Sequence, residues 1–147
     1  MVLRPGTADD QAAIRSLLQD SRLPVDDIDA AAVGFTVATE AAALAGVVGL
    51  ERFGSAGLLR SLAVRDGQRG RGVGGQLVDA VETQAIAPGL RHLVLLTTTA
   101  AQFFSRRGYV AIARDQAPAA VQRSAEFRSL CPASATCMIK SLQSRHG

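Results

Sequence analysis

The sequence contains no Trp, one Tyr and five Phe, so aromatic residues make up only 4% of it. Single-stranded nucleic acids are bound on aromatic stacking platforms, and so few rings argue against a nucleic-acid partner. Cysteine is also scarce. Cys131 and Cys137 are too few for a disulfide framework, and no Cys or His residues stand at short metal-ligand spacing. The chain has no apolar run of the roughly 18 residues that a membrane helix needs. Its opening, MVLRPGTADD, lacks the apolar stretch of a signal peptide. Lysine is nearly absent: Lys140 is the only one, so the other cations are all Arg. Together these absences point to a soluble, cytoplasmic protein without a membrane, nucleic-acid or metal site.

What is present fits one compact domain over 1–147. The 147 residues are 48% hydrophobic and 20% charged, with a net charge of +3, enough to build a core without disorder. The Arg bias can follow from base composition alone, but a planar guanidinium suits phosphate and carboxylate, so where the arginines sit matters more than the net charge.

Along the chain, residues 2–4 suggest a short strand ended by Pro5-Gly6. Thr7 and Asp10 read as a helix start, with Ile14, Leu17 and Leu18 at helical spacing through Asp20. Leu23-Pro24 opens a loop to about Ala30. Three strand-like runs follow, 34–39, 43–50 and 57–64, with Glu40-Ala41 and 52–56 as hairpin turns. After the loop RDGQRGRG, a helix from Gly74 carries Leu77, Val78, Val81 and Ala85 on one face and stops at Pro88-Gly89. Residues 91–99 read as a buried central strand. A short helix over 100–107, with Gly108 at its C′ position, leads to a strand over 109–114. A helix over 117–130 is expected to turn Val121, Ala125 and Phe127 inward, followed by a strand over 136–142 and a frayed tail over 143–147. This order describes an α/β (α+β) fold on a mixed, mostly antiparallel sheet. The helix after Gly74 crosses between two parallel strands, 58–64 and 91–97.

The informative stretch is LLRSLAVRDGQRGRGVGG, an apolar strand running through Gly70, Gly72, Gly74 and Gly75 into a helix. Glycine lets a ligand approach the backbone, and the unpaired amides of a helix start favour phosphate oxygens. Arg69 and Arg71 add charge there, so diphosphate binding is the direct inference. A P-loop would need Gly-Lys-Ser/Thr, which is absent. Gly70, Gly72 and Gly75 satisfy GxGxxG literally, but residues 65–69 intervene after the strand. No acidic residue ends the next strand to hold a ribose.

Arg69-x-x-Gly72-x-Gly74, with this strand before it and this helix after it, resembles motif A of the GNAT superfamily of acetyl-CoA-dependent N-acetyltransferases. LRPGTADDQAAIRSLL and AAQFFSRRGYV are similar to the first strand and helix and to the late helix-Gly-aromatic turn of that family, so the resemblance covers nearly the whole chain. LLRSLAV, LLTTTAAQFF and EFRSLCPASATCM further resemble the arsenic-resistance-associated N-acetyltransferases.

The resemblance implies a GNAT fold with a splayed parallel strand pair and acetyl-CoA as the cofactor. By position, coenzyme A would be held by Leu62, Ala63, Val64, Arg69, Gly70, Arg71, Gly72, Val73, Gly74, Gly75 and Phe103. A backbone amide within 62–64, placed at Val64, would polarise the thioester carbonyl. Glu51, just past a strand end, could take the amine's proton, or be a solvated hairpin charge. Arg60, Ser61, Thr97 and Arg123 are candidates for the acceptor, with Arg60 or Arg123 meeting an acidic group. Arg60 could equally be a salt bridge on the sheet, Thr97 a helix cap, and the 117–130 segment a cover for the sheet edge. Arg60 and Ser61, as neighbours in a strand, should face opposite ways.

The family commonly places a general-acid Tyr where this sequence has Phe104, while Tyr109 stands where the family has a structural aromatic. His92 reads as structural. Cys131 and Cys137 could be imagined as arsenic ligands, though nothing in their spacing builds a site. Two functions remain open at this level. One is direct acetyl transfer to the primary amine of a small amino-acid-like acceptor, with the narrower resemblance implying resistance to organoarsenical or phosphinic analogues of glutamate. The other is a catalytically weak acyl-CoA sensor or partner subunit, motivated by Phe104. Family members are often dimers, which makes a homodimer a candidate assembly.

Overall fold

The computed structural model describes residues 1–27, 33–86, 89–130 and 134–142. The expected end of the first loop, Pro88, Cys131 and the 143–147 tail lie outside the described residues. Strands β1 (Val2–Pro5), β2 (Val33–Glu40), β3 (Ala43–Phe53), β4 (Ala56–Val64), β5 (His92–Thr97), β6 (Val110–Ile112) and β7 (Thr136–Ser141) follow the hydrogen-bonded order β1-β2-β3-β4-β5-β7-β6. Helices are α1 (Gln11–Asp20), α2 (Val73–Ile86), α3 (Ala101–Arg106) and α4 (Ala119–Gln122). The chain divides into two compact units, residues 1–51 with 59–84, and 52–58 with 85–147.

In the first unit β1, β2 and β3 pair antiparallel, with a register shift at Ala38/Thr39. Ile14, Leu17 and Leu18 of α1 share one face and pack on Phe35, Val37, Val47 and Ala63. Each such aliphatic side chain contributes about 1.5–3 kcal/mol by burial. The α1 entry is fastened by Asp10. Its carboxylate accepts the Thr7 N–H at 2.7 Å and two Arg4 guanidinium bonds at 2.7 and 3.0 Å. In α2, the anticipated Leu77, Val78 and Val81 are buried.

In the second unit β5 runs parallel to the first part of β4, in register from Ala56↔His92 to Leu58↔Val94, and antiparallel to β7, which pairs with β6. Ala56, Leu58, Val94, Cys137, Ala117, Val121 and Phe127 form its core. The C-terminal end of α2 belongs here too: Leu90 N–H bonds the Ala85 carbonyl at 3.0 Å, and Gly89 takes φ +86.

Four expectations need correction. The helix over 117–130 is broken into α4 and a π-helical turn, Glu126–Leu130. The Ser124 hydroxyl accepts the Phe127 N–H at 3.3 Å and so competes with regular helix bonding; Val121 and Phe127 are buried, Ala125 only half so. Strand β6 stops at Ile112 because Gln116 Oε1 takes the Ala113 N–H at 3.0 Å in a 3-10 turn. One hairpin turn is tighter than expected and the other is shifted by one residue. β3 continues to Phe53, leaving Gly54-Ser55, and the other turn is Ala41-Ala42, at φ +53 and +66. Finally, Arg60 and Ser61 do not face opposite ways: the Arg60 Nε–H bonds the Ser61 hydroxyl at 3.3 Å, and Ser61 adopts φ +59, which interrupts the pleat of β4.

Candidate active site

The turn between β4 and α2 begins with Arg65, whose N–H bonds the Ala45 carbonyl of β3 at 2.8 Å. Successive amides of a strand point to opposite edges. The N–H of Ala63 therefore turns toward β3, and those of Leu62 and Val64 turn to the other edge. Gly70 and Gly72 take φ +81 and +78, and a Cβ at either would meet nothing within 4 Å. The positive φ is what demands glycine here. The Gln76 N–H bonds the Gly72 carbonyl at 3.1 Å, so α2 opens at Val73 and Gly74, directly behind the glycine turn, where a helix presents its first amides outward.

Two cations flank this turn. Arg69 Nε donates to the Val64 carbonyl at 3.3 Å and its Nη1 lies 3.4 Å from Asp66, yet 65% of the side chain is exposed. Arg71, 61% exposed, reaches Gln68 at 3.4 Å and lies 4.0 Å from Glu40. Exposed pairs of this kind hold weakly, and either guanidinium can turn to a phosphate at little cost. A backbone with room for a ligand, a helix start and two lightly tethered cations fit a diphosphate.

Arg60 is differently placed. Its side chain is fully buried, and Nη1 and Nη2 grip the two oxygens of Asp27 at 2.6 Å each. Nη1 also donates to Glu51 Oε1 at 3.2 Å, and Nε to the Ser61 hydroxyl at 3.3 Å. The Arg60 hydrogen bonds hold the Asp27 carboxyl below the usual carboxylate range, against the opposing cost of its burial. Among the described residues the other Glu51 oxygen, Oε2, has no partner. Asp27 was missed in the sequence, where it falls in a loop. The available signal was the lone Arg inside the apolar run LLRSLAV, since a buried guanidinium requires a carboxylate from elsewhere.

In the second unit, Thr97 Oγ1 accepts the Ala100 N–H at 3.0 Å ahead of α3. Phe103 is half-buried, 5.0 Å edge-on to Phe104 and under the Arg107 guanidinium at 5.5 Å. Phe104 is buried against Tyr109 at 5.3 Å, so the position of the expected acid is an apolar contact. Tyr109 is 1% exposed and structural, as anticipated. Arg123 is exposed after α4. Cys137 is buried, which pushes its thiol up from the ordinary value.

The family model of the acetyltransferase (GNAT) domain matches residues 31–111, more than half of the chain. This chain belongs to the GNAT acetyltransferase family. Membership makes it an acetyltransferase domain of the acetyl-CoA-dependent kind. A 65-residue stretch, 44% of the chain, is 42% identical to an amino-acid acetyltransferase of Pseudomonas fluorescens and spans 15% of that protein. The N-acetylglutamate synthase of Neisseria gonorrhoeae, solved with coenzyme A and N-acetyl-glutamate, is similar over 98% of this chain at TM-score 0.82 and 17% identity. The chain covers 36% of that enzyme. Rv2747 of Mycobacterium tuberculosis, solved with CoA, is similar over 97% of this chain and 100% of its own, at TM-score 0.79 and 23% identity. Each of these structural likenesses supports the fold. None of the described helices is long and apolar enough to cross a membrane, and no described group of His, Cys, Asp and Glu is arranged to hold a metal.

Proposed function

We propose that this domain transfers acetyl from acetyl-CoA to the primary amine of a small amino-acid-like acceptor. The observation that carries the reading is the turn before α2, where Gly70 and Gly72 expose the backbone at positive φ with nothing within 4 Å of either Cβ position. Coenzyme A, when bound, supplies an activated acetyl thioester. The amides of the turn and of the first α2 residues, with Arg69 and Arg71, would hold its diphosphate. Of the three β4 residues singled out, Leu62 and Val64 present amides away from β3, so either can donate to the thioester carbonyl oxygen. One well-placed donor of this kind is worth about 3–4 kcal/mol.

The acceptor reacts as the neutral amine. Its nitrogen attacks the carbonyl carbon, the C–S bond breaks, and the electron pair leaves on sulfur. Glu51 takes the ammonium's proton before attack. With Phe104 in place of an acid, the sulfur leaves as thiolate. A thiol near pKa 8.5 is already a good leaving group. Arg60 is engaged by Asp27 and Glu51, so it enters the reaction through Glu51. Ser61 fixes Arg60 by its hydroxyl. Thr97, Phe103 and Arg123 remain candidates for pantetheine and acceptor contact, each to be read by its own alanine variant.

The amino-acid acceptor draws support from the names of the relatives above. The finer reading, an organoarsenical or phosphinic analogue of glutamate, rests on the segments LLRSLAV, LLTTTAAQFF and EFRSLCPASATCM. We place the activity in the cytoplasm. The sensor reading keeps one observation in its favour, the buried apolar Phe104. The deciding experiment incubates the protein and acetyl-CoA with single amino acids, phosphinothricin and an arsenical glutamate analogue, and looks for N-acetyl product by mass spectrometry. One amine converted far above the buffer blank is the expected result. Acetyl-CoA binding without product from any amine would favour the sensor.

A further inference from the structure

This inference rests on the reading of Glu51 as the proton acceptor. We propose that Asp27 and Arg60 are positioning residues that hold Glu51 in place, so that this cluster receives the ammonium end of the acceptor and not an acidic one. The donors of Arg60 are engaged in three directions. Both terminal nitrogens face Asp27 at 2.6 Å, Nη1 is shared with Glu51 at 3.2 Å, and Nε faces Ser61 at 3.3 Å. A carboxylate on the acceptor would have to displace Asp27 from a bidentate pair around a fully buried guanidinium. The described cluster also sets two carboxylates against one cation, so its surplus charge is negative and suits an ammonium.

The geometry supplies the rest. The Asp27 pair fixes the guanidinium plane, and Nη1 then fixes Glu51 Oε1, leaving Oε2 without a described partner. Glu51 is 12% exposed at its side chain, enough for a proton to reach it and then leave to solvent. Arg60, which holds Glu51, stands two residues before Leu62 in β4, on the strand that carries the carbonyl-directed amide. Among the described residues, the charged groups bonded to Glu51 are Arg60 from β4 and, through it, Asp27 from the loop after α1; Val33, opposite it in β2, does not titrate. The protons balance: the ammonium gives one to Glu51, and the attacking nitrogen gives its second, as the C–S bond breaks, to the departing thiolate or water.

The test compares wild type, Glu51→Gln, Asp27→Asn, Asp27→Glu and Arg60→Lys with the fastest amine of the panel above, reading kcat, acceptor KM, the pH dependence of kcat/KM, and acetyl-CoA affinity. Asp27→Asn is expected to lower kcat tenfold or more and to shift the acid limb. Acetyl-CoA affinity should stay within about threefold, while acceptor KM should rise for every amine alike, because the cluster loses its surplus negative charge. Asp27→Glu should restore part of kcat, and Arg60→Lys should not. If Asp27→Asn does not fold, the last two variants carry the same comparison. An unchanged kcat and acid limb with a raised KM for acidic acceptors alone would overturn the proposal, placing Arg60 on the acceptor's carboxylate. If Glu51→Gln matches wild type, the reading of Glu51 itself fails. If only Glu51→Gln is impaired, that reading survives and this inference falls.

Discussion

Backbone strain at single residues separates the functional glycines from merely awkward positions. Gly70 and Gly72 hold positive φ where their open side can meet a ligand, whereas Ala41, Ala42 and Ser61 hold it despite carrying a Cβ. A side-chain-bearing residue pays about 1–2 kcal/mol in the left-handed region. At the Ala41-Ala42 hairpin the strain serves only the turn, so Ala42→Gly should raise stability by about 0.5–1 kcal/mol. A rise in melting temperature with unchanged activity would show it. Asp27→Asn is the opposite case. It removes the charge of the bidentate carboxylate from a buried guanidinium and should cost about 3 kcal/mol, measured as a lower urea midpoint at neutral pH. Cys137 makes a third prediction. Burial that raises its thiol also keeps reagents away, so in a Cys131→Ser background it should react with a disulfide reagent only as fast as the protein opens.

At the level of elements, the seat of α2 depends on a missing side chain. A Cβ on Gly46 of β3 would stand 2.9 Å from Leu77 Cδ1 and 3.1 Å from both Val73 Cγ1 and the Ala63 carbonyl. Gly46→Val should therefore cost about 1–3 kcal/mol by overpacking and push the α2 start away from its turn. The prediction is checked by a weaker acetyl-CoA affinity together with a lower melting temperature; loss of stability alone would show that the helix start had not moved. The sequence was readable where periodicity and glycine spacing dominate. Leu77, Val78 and Val81 marked the buried face of α2, and the strand-turn-helix order marked the cofactor turn. It was not readable where one hydroxyl or one distant carboxylate decides. Ser124 breaks the 117–130 helix through a single bond, the Ser61 backbone cancels strand alternation, and Asp27 reaches Arg60 across 33 positions of sequence.

For the molecule as a whole, two carboxyls couple stability to pH. Asp10, held by Arg4 and the Thr7 amide, and Asp27, held by Arg60, both titrate below their unfolded value of about 4. The folded state keeps their charge where the unfolded state has begun to bind protons. Their stabilisation is complete above that value and is lost as pH falls through it toward the folded values. Unfolding free energy should therefore be flat from about pH 5 to 7 and drop below pH 4. Replacing Asp27 by Asn should make that drop shallower. A wild-type curve with no acid drop would contradict the assignment.

The central claim is that the glycine turn binds the donor for a transfer to an amine. The most direct measurement is thiol release from acetyl-CoA with the amine panel, for wild type, Gly72→Glu and Gly67→Glu. Gly67 shares a positive φ of +87 and an open side, so it matches the strain of Gly72 outside the phosphate motif. The account predicts amine-dependent release by wild type and Gly67→Glu, and its loss in Gly72→Glu while the fold, read by circular dichroism, persists. Equal release by a folded Gly72→Glu would contradict it.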